Sequence, residues 1–361
     1  MNVLLIAAAS SVHVMRWANA YAAQGHEVHL LSQHAAAVGY EASVHIHRLP
    51  FKGGAGYALN GLAVRMLVRR IAPNVVNAHY ASGYGTLARW CGDTPVVLNV
   101  WGSDVFEFAD TSAVHRALLI ANLRSASHLV STSEFMADRV RALDDRLPPL
   151  DVIPFGVDTS RFKPRRPEDR SKGLTLGTVK ALAPKYGIDT LLKAFALAVR
   201  EPGTEAMRLR IVGEGPQRNE LLRSAGRLGI AERTDFVGAV PNHQVPDELG
   251  RMDVFVALSR ADSETFGVAV VEAGAAGLPV VVSDAGGLPE VVEDGVTGFV
   301  VRRNDAEQAA ERIGELMASV SLRRRMGNAG RERVEERYDW TKCVSRMLAL
   351  LEKVAEQRVR S

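Results

Sequence analysis

Short, mostly apolar strand-like runs recur along this chain, alternating with stretches of helical periodicity. They fall at Val3–Ala7, Val28–Ser32, Val75–Ala78, Val96–Val100, Leu129–Thr132 and Asp151–Pro154. After a charged interruption they restart at Leu174–Val179 and continue at Leu209–Val212, Thr234–Val237, Val254–Leu258 and Val280–Ser283. Short, mainly apolar runs alternating with helical stretches suit strands buried on both faces, the situation of a parallel sheet covered by helices. Met15–Gln24, closed by Gly25, reads as the first covering helix. Two such series predict an α/β fold of two facing, doubly wound, Rossmann-like domains. Ligands on such sheets bind beyond the carboxyl ends of the strands, so the cleft between the domains is the expected site.

The expected divisions are a first domain over 1–160, a linker over 161–172, a second domain over 173–337 and a terminal helix over 338–361. The linker is read from Lys163-Pro-Arg-Arg-Pro and the charges after it, which break the pattern. Composition narrows the function classes. A net charge of +3 over 361 residues is too mild to imply nucleic acid. Cys91 and Cys343 lie far apart, with neither metal-ligand nor disulfide-framework spacing, which fits a reducing cytosol. No apolar run is long enough to span a bilayer. MNVLLIAAASSVH reads as a buried first strand feeding a loop and helix rather than as a leader.

The stretch from Arg260 to Gly287 concentrates the chemistry. Glu264 precedes a helical apolar run, and Glu272 lies more than a turn inside it. Gly267, near the helix start, permits close backbone approach of a ligand. A helix N-terminus suits an anion such as phosphate, and carboxylates accept hydrogen bonds from hydroxyls. Together these fit a phosphorylated, hydroxyl-rich ligand. An ordinary solvated helix face is the plainer alternative for both glutamates.

With VIPFGVDTSRF (Val152–Phe162), VGEGP (Val212–Pro216), DVFVALS (Asp253–Ser259) and GGLPEVVEDGVTGFVV (Gly286–Val301), this stretch resembles the retaining glycosyltransferases of family 4. The resemblance covers nearly the whole chain. It implies the GT-B architecture and transfer of a sugar from a nucleotide-diphosphate sugar to a hydroxyl acceptor. The setting it implies is cytoplasmic assembly of a cell-surface polysaccharide, lipopolysaccharide or glycolipid. The rival readings are a nucleotide-sugar epimerase or hydrolase on the same fold, and a non-catalytic nucleotide-sugar-binding subunit.

The resemblance also assigns residues. Glu264 meets the donor sugar, Glu272 the ribose, and the backbone of Thr265, Phe266 and Gly267 helps hold the sugar. Lys180 and Lys185, in GTVKALAPKYG, face the departing diphosphate. Lys180 stands where the family has Arg, and Tyr186 intervenes before the glycine. Gly213, Gly215, Gly238 and Val240 lie near the nucleotide. In the first domain Ser10 or Ser11 caps the helix that faces the diphosphate. His13, Arg16, His79, Tyr80 and Trp101 line the acceptor side. Trp101 occupies the position of a family histidine, and Asp104 beside it is expected to orient the acceptor. No metal site and no cofactor are expected, because the lysines and helix dipoles serve the phosphates. The amphipathic stretch Tyr57–Pro73, with Arg65, Arg69 and Arg70, reads as a helix covering the sheet. The alternative is peripheral contact with an anionic membrane, at the inner face of the plasma membrane. The final helix is expected to cross back to the first domain.

Overall fold

The computed structural model describes residues 1–164, 173–201 and 203–360. It divides into two compact units: Met1–Phe155 with the chain from Thr341 onward, and Gly156–Trp340. Of the expected linker, residues 165–172 lie outside the described residues.

The first unit holds a seven-stranded sheet: β1 (Asn2–Ile6), β2 (Glu27–Ser32), β3 (Val44–Arg48), β4 (Val75–His79), β5 (Val96–Asn99), β6 (His128–Ser131) and β7 (Leu150–Val152). The spatial order is β3-β2-β1-β4-β5-β6-β7, with every pairing parallel. Leu4, Ile6, Val76, Leu98 and Leu129 of the strands pack with Val64, Tyr84, Leu119 and Met136 of the covering helices. Burying a side chain of this size is worth roughly 1.5–3 kcal/mol. The helix Trp340–Arg360 belongs with this unit from Thr341 on, and Arg346 Nη2 donates to the Val152 carbonyl at the end of β7 (2.5 Å).

The second unit holds a six-stranded sheet: β8 (Thr175–Val179), β9 (Arg208–Val212), β10 (Thr234–Gly238), β11 (Val254–Ala257), β12 (Val280–Ser283) and β13 (Gly298–Val301). Its order is β10-β9-β8-β11-β12-β13, again all parallel. Leu176, Leu209, Val254, Val256 and Val281 pack with Leu191, Phe195, Ile313 and Met326.

Two strands exceed the sequence expectation, and both are edges. In β3, VHIHR, histidines alternate with Val44 and Ile46, and only Val44 is buried. A strand paired on one side has no need of a continuous apolar run. β13 is four residues long and was legible only as part of a motif.

Candidate active site

In each sheet the strand order reverses between two central neighbours, β1 and β4 in the first and β8 and β11 in the second. Connections leaving those strands run to opposite faces of the sheet, so the carboxyl ends at the reversal are where a ligand can enter. The candidate residues cluster at these two crests.

In the second unit, β8 feeds the loop with Lys180 and Lys185, and β11 feeds the loop with Glu264. Lys180 Nζ lies 2.6 Å from Glu264 Oε2, and Ser259 Oγ donates to the same oxygen at 3.3 Å. The lysine and glutamate side chains keep only 13% and 9% of their exposure. A pair this dry resists losing either member, because the survivor would be a buried, uncompensated charge. The Tyr186 ring lies within cation–π reach of both ammonium groups. Lys180 Nζ is 4.7 Å and Lys185 Nζ 5.4 Å from its centroid. The Arg260 N–H donates to the Lys185 carbonyl at 2.8 Å, joining the two loops. Sequence reading missed Tyr186 as a participant, and it missed Arg303. The Arg303 guanidinium donates to Asp262 Oδ1 (2.9 Å), Asp284 Oδ1 (3.1 Å) and the Arg260 carbonyl (3.3 Å), bracing the segment that presents Glu264.

Glu264 is followed by the helix Val268–Ala275, capped by Gly267 in the left-handed region at φ +77°. A Cβ at Gly267 would sit 2.6 Å from Leu288 Cδ2, so the tight entry depends on glycine. The first turn of this helix leaves backbone N–H groups without intrahelical acceptors. Thr265, Phe266 and Glu272 are buried. The Phe266 ring packs against Tyr338 at 5.5 Å, so its side chain belongs to the core. The VGEGP turn backs directly onto the lysine loop. Gly213 has φ +141°, and a Cβ there would lie 1.9 Å from the Lys180 carbonyl oxygen. Its N–H donates to the Gly238 carbonyl at 2.8 Å, bringing the end of β10 and hence Val240 to the same rim. A Cβ at Gly215 would likewise collide with the backbone, lying 2.5 Å from the Leu182 carbonyl oxygen.

In the first unit, β1, β4 and β5 deliver an aromatic cluster. His13 stacks on Phe155 (4.5 Å, 18°), and Trp101 stands edge-on to His13, His79 and Phe155 at 5.8, 5.6 and 5.2 Å. Phe155 is a further residue that sequence reading passed over, although it sits inside a quoted motif. Burial, then the charge of Arg16, lowers the His13 pKa to about 4. Burial, then His13, lowers that of His79 to about 3. Both rings are therefore neutral at neutral pH. Neither nitrogen of the buried His79 has a hydrogen-bond partner among the described residues. Tyr80 takes a positive φ of 79°, rare for a non-glycine residue, and its hydroxyl meets Ser103 Oγ at 2.9 Å.

Two expectations are corrected. Asp104 is fully buried, and its carboxylate accepts from the N–H groups of Ala81 (2.7 Å), Gly102 (2.8 Å) and Trp101 (3.0 Å). Burial holds its pKa above the usual carboxylate range, against the pull of those donors. It positions the Trp101 loop against the end of β4, and no part of its carboxylate is exposed at the crest. Ser11 is the N-cap of the helix Val12–Ala23 by position, but its hydroxyl makes no capping hydrogen bond. Arg16 lies on that helix as expected. Among the described residues no group of three or more His, Cys, Asp or Glu is placed to hold a metal ion.

The second unit matches the family model described as glycosyl transferases group 1 over residues 158–333, and the first matches the glycosyl transferase 4-like model over 2–133. A GDP-mannose-dependent α-(1-6)-phosphatidylinositol monomannoside mannosyltransferase of Mycolicibacterium smegmatis is 32% identical over 289 residues, covering 76% of this chain and 74% of the relative. The chain is a group 1 glycosyltransferase. The same family includes a monoacylated phosphatidylinositol monomannoside mannosyltransferase of Corynebacterium glutamicum, 30% identical to this transferase over 62% of its chain and 61% of the relative. Its fold is GT-B. The sucrose-phosphate synthase of Thermosynechococcus elongatus superimposes with a TM-score of 0.83 at 20% identity, covering 98% and 99% of the two chains. Anabaena HepE in complex with UDP gives 0.81 at 19% identity, covering 98% and 100%. These likenesses favour neither the epimerase or hydrolase reading nor that of a non-catalytic subunit.

Proposed function

We propose that the transferase takes its sugar from a nucleotide-diphosphate sugar held on the second unit's crest and passes it, with retention, to a hydroxyl of a glycolipid or polysaccharide acceptor. The observation that carries this reading is the Lys180–Glu264 pair beside Lys185 at the reversal of the second sheet. As the bond from the anomeric carbon to the phosphate oxygen breaks, negative charge grows on the diphosphate. Two ammonium groups held beside one ring, that of Lys180 in a nearly dry setting, stabilise that charge with little reorganisation. Lysine supplies point charge rather than a bidentate fork, so the shared Tyr186 ring takes over part of the orienting role. Glu264 accepts from hydroxyls of the donor sugar and Glu272 from the ribose. The acceptor oxygen bonds to the anomeric carbon on the face the phosphate leaves, and its proton passes to the departing phosphate oxygen. No protein nucleophile and no metal ion enter this scheme.

The glycolipid acceptor class is supported by the phosphatidylinositol mannoside mannosyltransferases among the relatives, and a nucleotide donor by the UDP held by Anabaena HepE. A membrane-borne acceptor calls for peripheral contact with anionic lipid, since none of the described helices is long and apolar enough to cross a membrane. The test is transfer of labelled sugar from GDP-, UDP- and ADP-sugars to a membrane lipid extract, by wild type and Glu264→Gln. Incorporation from one donor that Glu264→Gln abolishes supports the reading. Donor turnover at equal rate with and without acceptor contradicts it.

A further inference from the structure

Between Glu41 and Asp93 the chain has no acidic residue, while it carries Arg48, Lys52, Arg65, Arg69, Arg70 and Arg89. The stretch includes two consecutive helices of the first unit, Gly53–Leu59 and Gly61–Ile71. Their outer face is apolar where solvent should meet it. Leu59 is 57% exposed, and Leu62 and Met66 are each 67% exposed. Leu62 and Met66 lie one turn apart, as do Arg65 and Arg69, so an apolar row and a cationic row run side by side along one helix.

A groove of about 290 Å³ opens beside the cationic row. Arg65, Arg69, Trp90, Asp93 and Thr94 are among the residues that line it. Arg65 and Arg69 make no ion pair among the described residues. Trp90 is pinned flat over the helix start because Gly61 has no side chain. A Cβ there would lie 2.3 Å from the indole. Trp90 as a whole remains 38% exposed.

We infer that this groove is a subsite for the phosphate of a polyol phosphate headgroup in an anionic bilayer. Two guanidinium groups supply the fork that phosphate oxygens match. Thr94 and Asp93 can donate to and accept from the polyol hydroxyls. The row of Leu59, Leu62 and Met66 enters the acyl boundary, while the arginine stems lie along it and the indole sits at headgroup depth. The inference rests on the membrane contact proposed above and adds which lipid the surface reads and with which residues.

The test is flotation of the full chain with vesicles of phosphatidylcholine alone, with phosphatidylserine, and with phosphatidylglycerol at the same charge density. Alongside it, glycerol 1-phosphate and inorganic phosphate are titrated without vesicles. Variants are Arg65→Gln/Arg69→Gln, and Arg324→Gln/Arg325→Gln as a control of equal charge loss in the second unit. The expected result is preference for phosphatidylglycerol over phosphatidylserine. The Arg65/Arg69 variant should bind roughly tenfold more weakly or worse, and the control should be unchanged. Saturable, Arg65/Arg69-dependent binding of a soluble phosphate without vesicles would keep the phosphate site and reassign its source to a free metabolite. Equal partition of both double variants would overturn the subsite while leaving the membrane contact standing. Failure of wild type to bind any vesicle or soluble phosphate would overturn both. The substituted arginines are exposed and make no ion pair among the described residues, so an unchanged melting temperature verifies the fold.

Discussion

Lys180 and Glu264 are separated by 84 positions, yet Nζ and Oε2 meet at 2.6 Å where the second sheet reverses its strand order. Each arrives at the carboxyl end of its own strand, β8 or β11, and the neighbouring strands fix the meeting. Their coupling should be measurable. Lys180→Met leaves Glu264 charged and nearly dry, whereas Lys180→Met/Glu264→Gln leaves no buried charge. The double variant should be more stable than additivity of the singles allows, by about 0.5–3 kcal/mol, in a denaturant-melting cycle. Simple additivity would mean that the pair is solvated and uncoupled.

Gly213 offers a backbone test of the same crest. Gly213→Ala places a methyl group on the Lys180 carbonyl at a φ that L-residues avoid. Stability should fall by about 1–3 kcal/mol, and donor affinity with it. Gly226, in the helix Arg218–Arg227, has nothing within 4 Å of its would-be Cβ. Gly226→Ala should instead stabilise by about 0.5–1 kcal/mol. Thermal melts and donor titrations on the two variants check the contrast.

Much of this arrangement was legible before any coordinates. The apolar runs give the central strands because a strand covered by helices on both faces is mainly apolar, with buried polar exceptions such as Asn77 and Asn99 hydrogen-bonded to each other. The edge strand Val44–Arg48 escaped because one flank faces solvent and its histidines are free to alternate. The glutamates and lysines were legible as motif residues, but their ion pair was not, since nothing local encodes a contact between two loops. Phe155 acts through the rings it faces and Tyr186 through two ammonium groups, and periodicity reports neither. Asp104 misled for the opposite reason. A carboxylate beside a catalytic-looking motif can be spent wholly on backbone N–H groups, and only the fold reveals which donors reach it.

Loss of those bonds predicts a stability effect. Asp104→Ala strands the N–H groups of Ala81, Gly102 and Trp101 in a buried site. It should cost about 2–4 kcal/mol. Asp104→Asn, which retains a carbonyl acceptor, should cost less. A catalytic role would instead show as lost turnover with unchanged melting.

The neutral histidines predict acid sensitivity of the first unit. The folded pKa values of about 4 for His13 and about 3 for His79 lie below the ordinary 6.5. The unfolded chain therefore binds more protons below 6.5. Their contribution is complete above pH 6.5 and is lost as pH falls from there toward 4 and 3, at roughly 1.4 kcal/mol per pH unit for each ring. His79→Phe should remove its share, about 2 kcal/mol of the loss between pH 6.5 and 5. Urea titrations of both proteins at the two pH values read the difference, and an identical loss in the variant would exclude His79 as a source.

The account turns on the second crest holding a nucleoside diphosphate through Lys180. The most direct measurement is calorimetric titration of wild type and Lys180→Met with UDP, GDP and ADP and with the matching nucleosides, each with and without EDTA. The account predicts that one diphosphate binds wild type regardless of EDTA, that Lys180→Met weakens it about tenfold or more, and that the nucleoside is unaffected. Equal affinity of wild type and Lys180→Met for every diphosphate would contradict it.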